Sequence, residues 1–114
     1  MEKKMKKKQI AVYIRIPKKD NFQIICDEYR NKIAERKDCC LVEIYYDIGM
    51  SGFNNERPGY LKMLKAARNK EFDFIVTKHP GKISRRSREM LKIIEELHKI
   101  GVAIYFEESD INTL

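Results

Sequence analysis

Nowhere in the 114 residues does an apolar run approach the roughly 18 residues that a membrane-spanning helix needs. No membrane role is expected. The opening Met-Glu-Lys-Lys-Met-Lys-Lys-Lys has neither the apolar centre nor the small-residue cleavage site of a secretion signal, so a cytoplasmic protein is expected. Histidine is scarce, with only His79 and His98, and the three cysteines are odd in number. Cys39 and Cys40 are adjacent, and adjacent cysteines do not chelate zinc as spaced pairs do. These scarcities argue against a metal enzyme and against a disulfide framework. Reduced, mostly buried thiols are the simplest reading. There is no internal repeat, and no low-complexity segment beyond the lysine-rich start.

Charge is abundant: 36% of the residues are charged, 43% are hydrophobic, and the formal net charge is +7. That composition suits one compact domain with a heavily charged surface. Residues 1–8 hold five lysines and one glutamate, so +4 of the charge belongs to a basic tail and only +3 to the rest. Such a tail is expected to be flexible and solvated, with phosphate contact as the alternative.

The remainder alternates β-rich and helical segments. Gln9–Arg15 reads as a buried strand that Pro17 ends, because proline cannot donate to a sheet ladder. A helix over 21–37 follows, with Asp20 or Asn21 as its cap and Ile24, Ile25, Tyr29 and Ile33 facing a core. Cys40–Tyr46 is the second strand, and a glycine-bearing loop leads to a helix over 58–70 opened by Pro58. Phe72–Thr77 is the third strand, followed by a basic loop over 78–85. A helix over 86–100 carries Met90, Ile93, Ile94 and Leu97 on one face, stops at Gly101, and leads to a fourth strand, Val102–Phe106. Four strands joined by helical crossovers predict an α/β fold, a mostly parallel four-stranded sheet with helices on both faces. Sites in such sheets lie at the carboxyl ends of strands, which points to the segments after Arg15, Tyr46 and Thr77.

Three motifs stand in those segments. The first is Tyr13-Ile-Arg-Ile-Pro17. The second runs from Tyr46-Asp-Ile-Gly-Met-Ser-Gly through Arg57-Pro-Gly59. The third begins at Asp73-Phe-Ile-Val-Thr-Lys78, continues to Arg85 and ends in Gly101-Val-Ala-Ile-Tyr-Phe-Glu and Asp110-Ile-Asn-Thr113. In order and spacing the chain resembles the catalytic domain of the serine recombinases of the resolvase/invertase type, from about residue 9 onward. The resemblance implies a resolvase-like catalytic domain over 9–114. It also implies DNA as partner, association with itself or with an active recombinase, and no metal or nucleotide cofactor. Members use a serine hydroxyl to attack a DNA phosphodiester while arginines surround the phosphate, which suits a transition state with charge on its non-bridging oxygens.

Position by position, Arg15, Arg57 and Arg85 match the family's arginines, and Asp47 matches the acidic residue ending the second strand. Lys82 stands where a further phosphate-binding arginine is usual, and lysine keeps the charge but loses the fork. Pro17 occupies the position of the serine and has no hydroxyl. Arg15, Arg57, Lys82 and Arg85 are therefore the expected phosphate-binding set around a site expected to be inactive. Ser51, Ser84 and Ser87 are the hydroxyls that a displaced mechanism would use. The long dimerisation helix and the DNA-binding domain that relatives usually carry are expected to be missing.

Plainer readings stand beside these. Each arginine alone is ordinary surface charge, and Asp47 is equally a cap for the loop before Gly49. Gly49, Gly52 and Gly59 read as turn geometry, and Tyr13, Tyr45 and Tyr46 as core or strand residues rather than base-stacking platforms. Gly81-Lys82-Ile83-Ser84 is not a P-loop, since Val76 stands where its first glycine belongs. Three functions follow: an inactive recombinase domain of a mobile element that binds DNA weakly or modulates a recombinase, an active recombinase with a displaced nucleophile, or an interaction scaffold with no DNA role.

Overall fold

The run Ile10-Ala-Val-Tyr-Ile14 has no polar residue because both faces of its strand are covered. A computed structural model describes residues 7–54, 56–108 and 111–112. It places this run in β1, Lys8–Ile16. Ile10, Val12 and Ile14 pack against α1, Phe22–Ala34, while Ala11 and Tyr13 point into the larger core on the other face.

The other elements are β2, Cys39–Ile48; α2, Pro58–Arg68; β3, Phe74–Thr77; α3, Pro80–Ile83; α4, Ser87–Lys99; β4, Ala103–Phe106; and β5, Ile111–Asn112. The strand order is β2-β1-β3-β4-β5. The four expected strands are parallel, and β5 adds a two-residue antiparallel edge beside β4. The α/β architecture with helices on both faces is as expected: α1 covers one face, and residues of α2 and α4 build the core on the other.

Several local expectations are corrected. Asn21 stands at the N-cap position of α1, as one of the two expected caps, but it makes no side-chain cap bond and takes a left-handed conformation, φ 64°, so that Phe22 begins the helix. Asparagine tolerates that region better than most residues. Ile24 is 57% exposed, because the inward stripe of α1 runs through Cys26, Tyr29 and Ile33. At 100° per residue, a stripe centred there leaves position 24 outside. The helix ends at Ala34 rather than 37, and α2 at Arg68 rather than 70. The supposed loop 78–85 contains the short helix α3. Tyr13 is a buried residue of β1, and Tyr45 and Tyr46 lie in β2, so all three are core or strand residues as expected, with Tyr46 on an exposed part of its strand. The tail reading over 1–8 lies mostly outside the described residues, and Lys8 already belongs to β1, donating its backbone N–H to the Asp38 carbonyl.

Cys26 and Cys39 are buried and Cys40 is exposed, all as free thiols. Burial pushes the first two thiols up from their ordinary range. Among the described residues no cluster of histidine, cysteine or carboxylate side chains is arranged to hold a metal, and no helix is long and apolar enough to cross a membrane.

Candidate nucleic-acid phosphate site

The parallel register aligns Arg15 with Asp47 at the carboxyl ends of β1 and β2. The two side chains then diverge into different duties. Asp47 is buried and accepts from the backbone N–H groups of Gly59 and Tyr60 at 2.9 and 2.8 Å. It therefore caps the first turn of α2 from a neighbouring strand, where the helix leaves donors unpaired and favours negative charge. The alternative of a cap for its own loop is corrected accordingly. The Tyr13 hydroxyl donates to the same carboxylate at 2.6 Å and accepts from Arg57 at 2.7 Å.

Arg57 has no exposed surface. Its guanidinium lies 4.2 Å from the centre of the Tyr60 ring and donates to the carbonyls of Asn54, Lys82 and Ile83. It reaches Asp47 only through the Tyr13 hydroxyl. Sequence placed it among the phosphate ligands; geometrically it ties the second motif to α3. Arg15 is 9% exposed and donates to the carbonyls of Gly81, Met50 and Lys82 at 2.7, 3.1 and 3.3 Å. Two guanidiniums thus converge on the carbonyls of one helical turn. This is favourable, because carbonyls at a helix C-terminus carry partial negative charge.

Lys82 is half-buried and Arg85 exposed. Arg85 and Arg15 flank Gly52 so closely that a Cβ there would lie 2.6 Å from the Arg85 Cγ and 2.9 Å from an Arg15 Nη. Gly52 is therefore a requirement of close packing, beyond the turn geometry expected for it. Burial, and then the charges of Arg15 and Arg85, hold the Lys82 ammonium below its ordinary range. Burial, followed by Arg57, lowers Arg15 in the same direction. A cluster of cations that depress one another gains from a bound anion, which restores each charged form.

A cleft of about 340 Å³ opens at this end of the sheet, with Arg15, Lys78, Lys82 and Lys32 on its walls. Glu28, Glu107 and Glu108 line it too. Glu107 accepts from the Tyr29 hydroxyl at 2.5 Å and from Lys32 at 3.2 Å, and this contact, after burial, pushes the Tyr29 phenol well above its usual range. Sequence reasoning missed this acidic wall. Glu107 follows directly on β4, so counting the carboxyl end of the fourth strand, as was done for three others, would have found it.

Pro17 is exposed and follows β1 two residues after Arg15. Two of the three serines hold local contacts. The Ser84 hydroxyl is buried and accepts from the Arg86 backbone N–H at 3.1 Å, and the Ser51 oxygen accepts from the Phe53 N–H at 3.1 Å. Ser87 is exposed in the first turn of α4.

With this geometry in view, similarities to known proteins are informative. The family profile described as "Resolvase, N terminal domain" matches residues 10–114. The N-terminal catalytic domain of TP901-1 integrase superposes with a TM-score of 0.77 at 23% identity, over 93% of this chain and 82% of that one, which shows the shared fold. The C-terminal catalytic domain of ISC1926 TnpA, an IS607-like serine recombinase, gives 0.73 at 25% identity, over 87% and 70%. A serine recombinase from Sulfolobus solfataricus gives 0.64 at 27% identity, over 90% and 69%. A search of the curated proteins gave no match. By profile, fold and motif order together, the chain belongs to the resolvase N-terminal domain family, the catalytic domains of the serine recombinases.

Proposed function

We propose that this chain is a catalytically inactive serine recombinase domain of a mobile element, which keeps a phosphate-binding cleft and acts on recombination by weak DNA binding or by modulating an active recombinase. One observation carries the reading. Pro17 stands at the position of the family's nucleophile, while Arg15, Arg57, Asp47 and Arg85 keep theirs. A phosphoserine link needs a hydroxyl, and proline supplies neither a hydroxyl nor an N–H. Ser84 and Ser51 are tied to local backbone donors, and near-attack geometry tolerates shifts of no more than about 1 Å. Lys82 and Arg85 are the direct phosphate ligands. Arg15 and Arg57 are positioning residues that hold α3, and hence Lys82, against the sheet.

A second reading, an interaction scaffold with no DNA role, is favoured by the same arginine–carbonyl bonds, because they already satisfy donors that a phosphate would use. Salt separates the two. Under the DNA reading, retention on DNA weakens steeply as salt rises, and Lys82→Ala with Arg85→Ala lowers the slope of log affinity against log salt by about 2. Under the scaffold reading the slope is unchanged.

The test of inactivity is incubation with supercoiled DNA carrying a recombination site, then denaturation and a search for protein attached to a 5′ end. Wild type is expected to give no adduct, and Pro17→Ser to give some. An adduct in wild type would overturn the reading.

A further inference from the structure

Phe53 follows Gly52 directly, and Gly52 is the residue packed between Arg15 and Arg85. The phenyl ring is 57% exposed, on a turn that is held rather than loose. The Phe53 N–H donates to the Ser51 hydroxyl at 3.1 Å, the Asn54 N–H to the Ser51 carbonyl at 3.1 Å, and the Arg85 N–H to the Gly52 carbonyl at 3.1 Å. The Arg86 guanidinium lies over the ring, 6.0 Å from its centre. The other large exposed apolar side chains, Ile24, Val42, Tyr46, Leu61, Leu91 and Ile100, lie on α1, β2, α2 or at α4. A lone phenyl in water is unremarkable. An exposed phenyl on a hydrogen-bonded turn, next in sequence to the glycine that packs on Arg85 and with the Arg86 cation over its ring, matches the needs of a nucleotide, whose base lies one sugar away from its phosphate.

We propose that Phe53, backed by Arg86, is a stacking platform for an unpaired DNA base whose phosphate lies at Lys82 and Arg85. The inference rests on the phosphate cleft proposed above and names its substrate class: single-stranded or locally unpaired DNA rather than intact duplex. Stacking is sequence-tolerant, since every base presents a π-face. Phe53 therefore adds affinity and a preference for melted strands without choosing a sequence. The Arg86 guanidinium can stack on a base as well as on the ring, as planar delocalised cations do.

The experiment measures binding of the full chain, by fluorescence anisotropy, to a short labelled oligothymidylate, to the same backbone with abasic sites, and to a matched duplex. Wild type is expected to bind the oligothymidylate about five-fold or more tighter than the abasic strand. Phe53→Ala is expected to bind both strands as wild type binds the abasic one, with its circular dichroism unchanged. Phe53→Tyr keeps the preference. Equal binding of the two strands by wild type, or a preference that survives in Phe53→Ala, overturns the platform and leaves the phosphate cleft standing. Weakening of both strands alike by Phe53→Ala also overturns it, since the ring would then act only by holding the turn. Binding to no strand at low salt overturns the platform and the phosphate cleft together.

Discussion

Gly59 shows how a single position can be set by its surroundings. A Cβ there would lie 2.0 Å from the Tyr46 carbonyl oxygen and 2.7 Å from its carbon, both backbone atoms of β2 that have little room to yield. The Gly59 N–H must also reach Asp47 at 2.9 Å. Gly59→Ala is expected to cost about 2–4 kcal/mol by prising α2 from β2. That corresponds to a fall in Tm of roughly 10 °C or more, read by thermal unfolding under circular dichroism. A change of less than about 3 °C would mean that the close approach is soft. Arg57 acts at the same scale: charged and wholly buried, it is satisfied by carbonyls and one hydroxyl, with a carboxylate only beyond that hydroxyl. In the family pattern both residues belong to Arg-Pro-Gly. The motif is thus partly a packing device that docks the start of α2 onto the ends of β1 and β2.

Two helices end in the same way with different residues. After α4, Gly101 takes φ 84°, with Gly101 N–H to His98 and Val102 N–H to Leu97. After α2, Lys70 takes φ 57°, with Lys70 N–H to Ala67 and Glu71 N–H to Ala66. Both are Schellman ends, and only one has the residue that adopts this conformation without penalty. Lys70→Gly is therefore expected to stabilise the chain by about 0.5–1 kcal/mol, despite the loss of its long 3.4 Å contact with the Gly101 carbonyl. Denaturant titration would show a higher midpoint at unchanged slope. A lower midpoint would show that the lysine side chain matters more than its backbone strain.

Across the whole molecule, three buried phenols set the alkaline limit. Tyr13, Tyr29 and Tyr60 are all pushed above the ordinary phenol range, first by burial. The folded chain keeps these protons where the unfolded chain, with phenols near about 10, releases them. Their contribution to stability is thus fully present below about pH 10 and is lost as pH rises towards the folded values. In an alkaline titration their ultraviolet ionisation signal is expected to rise together with the loss of helical circular dichroism. Ionisation of all three with the secondary structure intact would refute this.

The order of strands and helices was legible in the residues, because apolar runs, prolines and glycines act locally. Pro17 ends β1, Pro58 opens α2 and Gly101 closes α4, each through its own backbone chemistry. The resemblance also singled out Arg15, Asp47, Arg57, Lys82 and Arg85, and the fold brings their segments to one end of the sheet. Their division of labour was not legible. A guanidinium reads the same in sequence whether it meets a phosphate or a carbonyl, and only the approach of α3 to β1 commits Arg15 and Arg57 to the Gly81–Ile83 carbonyls. The place of Glu107 at the end of β4 was legible, but its partners Tyr29 and Lys32, on a helix over 70 residues earlier, were not. Local backbone preference determines the elements; contacts between residues distant in the chain decide which charges remain free to meet a ligand.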